Sequence, residues 1–174
     1  MKSTIIVAVV IIAIFAAITG ILQLVSSNMH NDPEELYNFA VTAKIFHDKI
    51  EDTGLLKNIT TLTEIIAQKS PENSSEIETS IQQGILSAKG YKDQFNWLNP
   101  TSETLELFES LIQEGSLIQK CYSRLYSAWS EKQVGDESQC SQHLEEVTAF
   151  FDEVVTLRDQ NKLILDSFLL QLEP

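Results

Sequence analysis

Two cysteines, three histidines and four prolines in 174 residues leave little material for the chemistry those residues carry. Two cysteines cannot build a disulfide-dense miniprotein or a four-cysteine zinc site. Histidines at positions 30, 47 and 143 are too scattered for a histidine-rich metal site. Positive charge is also scarce: 12 Lys and Arg stand against 25 Asp and Glu, a net charge of -13. Phosphate would repel such a chain, which excludes nucleic acid as a partner bound through general electrostatics. No Gly-x-Ser-x-Gly, phosphate loop or His-Glu-x-x-His motif occurs. With 25 acidic residues, neighbouring carboxylates carry no weight as a sign of acid–base catalysis. No catalytic residue, metal site or cofactor is indicated, and the expectation is a protein that is not an enzyme.

Charge is missing altogether from Thr4 to Val25, where only Thr4, Thr19, Gly20 and Gln23 interrupt apolar residues. As a helix this run is about 33 Å long, against a hydrocarbon core of about 30 Å, so it can span a bilayer. The alternative is a cleaved signal peptide. The strictly apolar stretch Ile5–Ile18 suits a signal core, and Val25-Ser26-Ser27 offers small residues for cleavage. Continued apolar character through Ile21, Leu22, Leu24 and Val25 favours the retained anchor. Lys2 precedes the run and no further Lys or Arg appears until Lys44, whereas Asp32, Glu34 and Glu35 follow it. The positive-inside rule then keeps the N-terminus in the cytoplasm and puts the rest outside. No cysteine stands near the run, so a lipoprotein anchor is excluded. The resulting organisation is residues 1–27 as anchor or signal, 28–31 as linker and 32–174 as an acidic extracytoplasmic domain. Its charge favours solubility and discourages contact with anionic headgroups.

Within that domain the prolines act as punctuation. Asp32-Pro33, Ser70-Pro71 and Asn99-Pro100 each join an N-cap residue to a residue suited to the first helical position, with acidic residues following. Asp136, with Gln139 three residues on, is a fourth start. Apolar residues between these marks recur every three or four positions. The first stripe is Leu36, Phe39, Ala43, Phe46 and Ile50; it breaks phase at Gly54 and resumes as Leu55, Ile59, Leu62 and Ile66. The second is Ile77, Ile81, Gly84, Ala88, Tyr91, Phe95 and Leu98, the third runs from Leu105 to Trp129, and the fourth from Leu144 to Leu172. No segment alternates with period two. The fold class is therefore all-α: the N-terminal transmembrane or signal helix, then an antiparallel up-down four-helix bundle whose first helix is kinked near Gly54. A reversal at Asn99-Pro100 would set Ile77 against Tyr122, Gly84 against Gly115 and Tyr91 against Phe108.

Few residues stand out from the stripes. Cys121 and Cys140 would form a disulfide outside the cell, although a turn centred near residue 134 would leave them about 9 Å apart along the helix axis. Cys140 and His143 share a helix face but are only two ligands, and Met29-His30 reads as linker. Arg158 and Asn161 interrupt the apolar face of the last helix, as a buried polar layer or a pocket lining would. Tyr122, Tyr126 and Trp129 are dense enough for a ligand contact and equally suited to core packing. Asn58-Ile59-Thr60 and Asn73-Ser74-Ser75 fit the N-glycosylation pattern.

One span followed by an outer four-helix bundle resembles, as a plan, the sensory domain of bacterial chemoreceptors. No motif carries the likeness further, and a shared plan licenses no function. The functional expectation is a membrane-tethered binding or interaction module outside the membrane, its partners being the membrane through the N-terminal helix and a protein or a second copy of itself. A self-assembling structural protein is the alternative. A secreted enzyme or metal binder is the third.

Overall fold

The computed structural model describes residues 33–68 and 74–172, and the Thr4–Val25 run lies outside them. Five helical segments follow one another: α1 (Pro33–Asp52), α2 (Leu55–Ala67), α3 (Ser74–Phe95), α4 (Leu105–Val134) and α5 (Glu137–Leu172). Among the described residues there is no strand. No helix among them is long and apolar enough to cross a membrane. α1 and α2 form one jointed arm, and with α3, α4 and α5 they make an all-helical bundle of four columns. α4 and α5 share the longest interface, and the arm closes the ring by packing α1 on α5 and α2 on α4.

The joint in the arm has a backbone cause. Gly54 adopts φ 65°, left-handed territory that a side chain strains to enter. Its N–H closes the last turn of α1 on Glu51 O at 3.2 Å, and its carbonyl accepts from Asn58 N at 2.9 Å to open the next helix. The change of direction keeps Leu36, Phe39, Ala43 and Ile50 of α1 and Leu55, Ile59, Leu62 and Ile66 of α2 on one core despite their different phase. At the α4–α5 turn, Gly135 is also left-handed (φ 82°), and Asp136 Oδ1 accepts from Gln139 N at 3.0 Å, the expected N-cap.

α4 and α5 bury more than the main stripes suggest. Leu107, Glu114, Cys121 and Ala128 of α4 are buried at a seven-residue spacing, and so are Cys140, Val147, Val154, Asn161 and Phe168 of α5. Two heptad seams meeting antiparallel is the geometry of a coiled-coil hairpin.

The α3–α4 register differs from the expected one. Gly84 does not meet Gly115. A Cβ built on Gly84 would overlap the Tyr122 ring, and one on Gly115 would lie 2.9 Å from Lys92 Cβ. The faces are the expected ones, but the pairing slips by about two helical turns, roughly seven residues. The chain does not reverse at Pro100. Asn96, Trp97 and Leu98 continue α3 as a tighter coil, each N–H bonding three residues back. α4 then begins only at Leu105, after Thr101 N has bonded to the buried Thr104 Oγ1 at 2.8 Å.

Gly84 and Gly90 make a matched test of this packing. Gly84→Ala drives a methyl into the Tyr122 ring and should destabilise the protein by about 1–3 kcal/mol. Gly90, one helix face away with nothing within 4 Å of an added Cβ, should gain up to about 1 kcal/mol as alanine. Urea unfolding followed by circular dichroism reads both; equal effects would mean that the register is wrong.

Candidate functional site: a buried polar layer at Glu114

Midway along the bundle all four columns place a polar side chain on one point. Glu114 projects from the α4 heptad seam and is fully buried. Its Oε1 accepts from Tyr91 Oη of α3 at 2.8 Å and from Arg158 Nη1 of α5 at 3.3 Å. Its Oε2 accepts from Asn161 Nδ2 at 2.9 Å and faces His47 Nε2 of α1 at 3.5 Å. Asn161 is completed by Ser110, whose hydroxyl donates to its Oδ1 at 2.7 Å. Arg158 reaches further: Nη1 also donates to the His47 carbonyl at 3.0 Å, and Nη2 pairs with Glu51 Oε1 at 3.1 Å, where the layer meets solvent.

The electrostatics follow from these partners. Burial works against the charge on Glu114. The opposing effects, from His47 and from the Asn161 and Tyr91 donors, prevail and hold its carboxyl below the usual carboxylate range. Burial, together with the adjoining Glu114 carboxylate, pushes the Tyr91 hydroxyl far up, so it remains a donor. The hydrogen bond and charge of Arg158 lower Glu51. His47 Nδ1 is buried without a hydrogen bond, and the Asp48 carboxylate lies 3.5 Å away. A carboxylate with three hydrogen-bond donors and the His47 ring around it, held by three different helices, is built to stay put. Nothing here presents a free nucleophile.

Arg158 and Asn161, which interrupt the apolar face of the last helix, both stand in this layer; His47, Tyr91 and Glu114, with Ser110 and Glu51 at its edges, went unanticipated. Tyr91 counted only as a member of the second apolar stripe, and His47 only as one of three scattered histidines. Glu114 is one of 25 acidic residues and carries no local mark except its phase. The signal was the seven-residue spacing Leu107–Glu114–Cys121–Ala128, which puts a carboxylate in line with buried positions.

The expected aromatic group is divided. Tyr122 is buried, fills the space over Gly84 and donates to Leu55 O at 2.7 Å, tying α4 to the arm's joint. Trp129 is core as well, whereas Tyr126 is half-exposed on α4, so the three form no common contact surface. The expected disulfide is not formed. Cys121 and Cys140 are both free and buried, and Cys121 Sγ lies 3.9 Å from Val147 O, the level opposite it across the turn. A turn at Gly135 leaves the two cysteines at different levels of the hairpin, too far apart for a bridge. Burial pushes the Cys121 thiol up to about 12, which makes it unreactive.

Asn58 sits in the first turn of α2 and bonds Ser80 of α3 at 3.3 Å, a contact that a glycan would break. Asn73 and Met29-His30 lie outside the described residues. His143 and Arg124 both approach Glu146, at 3.5 Å and 2.7 Å, and Cys140 does not join them. Among the described residues no group of three His, Cys, Asp or Glu could hold a metal. No protein-family model, curated protein or solved structure matches this chain.

Two outcomes test the layer. Glu114→Ala strands the Arg158 and His47 partners and should cost about 3–5 kcal/mol, whereas replacing Glu114, His47, Arg158 and Asn161 together with apolar residues, with Tyr91→Phe to remove the hydroxyl that Glu114 holds, should be neutral or stabilising by about 1–4 kcal/mol. The pH dependence has a defined sign. A folded value below the unfolded one means that the unfolded state binds more protons, so this stability is complete above about pH 4.3 and is lost as pH falls through the lower folded value. Urea midpoints measured across that window should fall less steeply in Glu114→Gln than in the natural chain.

Proposed function

We propose that this protein is a single-pass, membrane-anchored helical bundle that acts outside the membrane as a non-enzymatic binding or interaction module. The observation that carries the reading is how the buried polar groups are used. The layer that a catalytic or ligand-binding bundle would open to substrate is here closed on itself, with Glu114 fully buried and both its oxygens engaged. Its chemistry serves to align helices, which leaves the outer surface to do the work. The uncharged Thr4–Val25 run and Lys2 before it support the anchor and its orientation. An anchor would raise the effective concentration of the bundle near other membrane proteins.

A second reading, self-assembly, rests on Leu163 and Leu170. They are exposed and seven residues apart on α5, the spacing of an unused heptad seam. The net charge of -13 opposes pairing between identical chains, which is why this reading ranks second.

Both readings are open to one experiment on the tagged full-length chain in cells. Intact mass of the membrane fraction, of the outer fluid and after external protease should show a full-length, membrane-confined chain whose bundle is digested from outside. A chain beginning near Asn28 in the fluid would replace the anchor with a cleaved signal. Sedimentation of the detergent-solubilised chain should give a monomer; a concentration-dependent dimer lost in Leu163→Lys would favour self-assembly.

A further inference from the structure

Trp97 is 83% exposed, on a short coil where burial would be expected for so large an apolar ring. Its position relative to the start of the domain is well defined. Glu35, Asn38, Phe39 and Thr42 of the first turns of α1 line one side of a surface cavity of about 400 Å³, and Trp97 to Thr101 line the other. Trp97 therefore sits at the end of the bundle where α1 begins. α5 finishes at the same end, because Lys44 of α1 pairs with Asp166 of α5 at 2.9 Å and the two helices run antiparallel. Leu170, 76% exposed, and the half-exposed Tyr37 belong to this end too.

The chain that precedes α1 limits how far this end can move from a membrane. Between Val25, where the uncharged run stops, and Pro33 lie only the residues from Ser26 to Asp32. Fully extended at about 3.6 Å per residue, they reach about 25 Å, less than the length of α4. The end bearing Trp97, Tyr37 and Leu170 is thus held next to the headgroups whenever the run spans a bilayer. Trp and Tyr, with an apolar body and one polar atom, are the residues that settle at that depth.

We propose that this end of the bundle docks on the bilayer surface, with Trp97 inserted among zwitterionic headgroups. The proposal rests on the anchor reading and goes beyond it, since a flexible tether alone would let the bundle hang free. Zwitterionic lipid is specified because Glu35 and Glu103 frame the same end of an acidic chain and would be repelled by an anionic surface. Docking would fix the orientation of the bundle and present the α4–α5 turn, with its exposed Val134, outward.

The test uses full-length chain carrying Trp129→Phe, which leaves Trp97 as the only tryptophan, reconstituted in phosphatidylcholine vesicles with and without bromine on the acyl chains near the headgroup. The expected result is co-flotation with the vesicles, blue-shifted emission, shielding from aqueous iodide and loss of fluorescence in the brominated lipid. Co-flotation with red, iodide-accessible emission and no bromine quenching would overturn docking while leaving the anchor standing. Failure to co-float would overturn the anchor itself and docking with it. Shielding from iodide without bromine quenching would mean that protein, a second copy or a partner, covers Trp97 and would also overturn the proposal. Partial replacement by phosphatidylglycerol should weaken the quenching at low salt; stronger quenching would refute the zwitterionic preference.

Discussion

A carboxylate removed from water must be given replacements for everything water supplied, and Glu114 obtains them from three other columns of the bundle. The effective desolvation cost of such an ion is several kcal/mol, so its removal from the surface holds only while every donor stays in place. Tyr91, Asn161, Arg158 and His47 can reach it together only if α1, α3 and α5 stand at one height and rotation relative to α4. An apolar core alone tolerates sliding by a turn or rotation by a residue, because one aliphatic contact resembles another. The Glu114 layer does not, and it sets the register in which the heptads of α4 and α5 meet.

Other features of the bundle agree with that register. Tyr122 could not lie flat over α3 unless position 84 lacked a side chain, and its hydroxyl then reaches Leu55 O at the start of α2. One residue thus sets the spacing of α3 and α4 and pins the joint that Gly54 makes possible. The tight coil through Leu98 serves the same alignment, moving the reversal between α3 and α4 far enough to bring Tyr91 level with Glu114. Cys121 and Cys140 remain apart for the same reason: each fills a buried heptad position of its own, and joining them would require the hairpin to shift.

The functional reading follows from where the polarity is spent. Conversion chemistry in a bundle needs polar side chains that face a cavity and are left short of partners. Here the layer is closed on itself apart from His47 Nδ1, which has no hydrogen bond, and the exposed large apolar side chains are spread over the bundle, with Tyr37, Trp97 and Leu170 at the end where α1 begins and Val134 at the other. That is the character expected of the proposed tethered module, which would act through its outer surface.

How much of this could be read before the chain folded depends on the range over which each feature acts. The helices, the joint at Gly54 and the cap at Asp136 were legible because periodicity, glycine conformation and capping are properties of a few neighbouring residues. Arg158 and Asn161 were legible as interruptions of an apolar stripe. Glu114, His47 and Tyr91 were not legible as a group, since they lie on separate helices and nothing in their local sequence marks them as partners. The pairing of Gly84 with Tyr122 rather than Gly115 was hidden as well, because a slip of two turns returns a helix to nearly the same face and leaves the apolar pattern unchanged. What the sequence by itself determined was which faces are buried and where helices start and stop. Only the tertiary structure decided which levels of those faces meet, because that choice was made by a charge that could be buried at one register and no other.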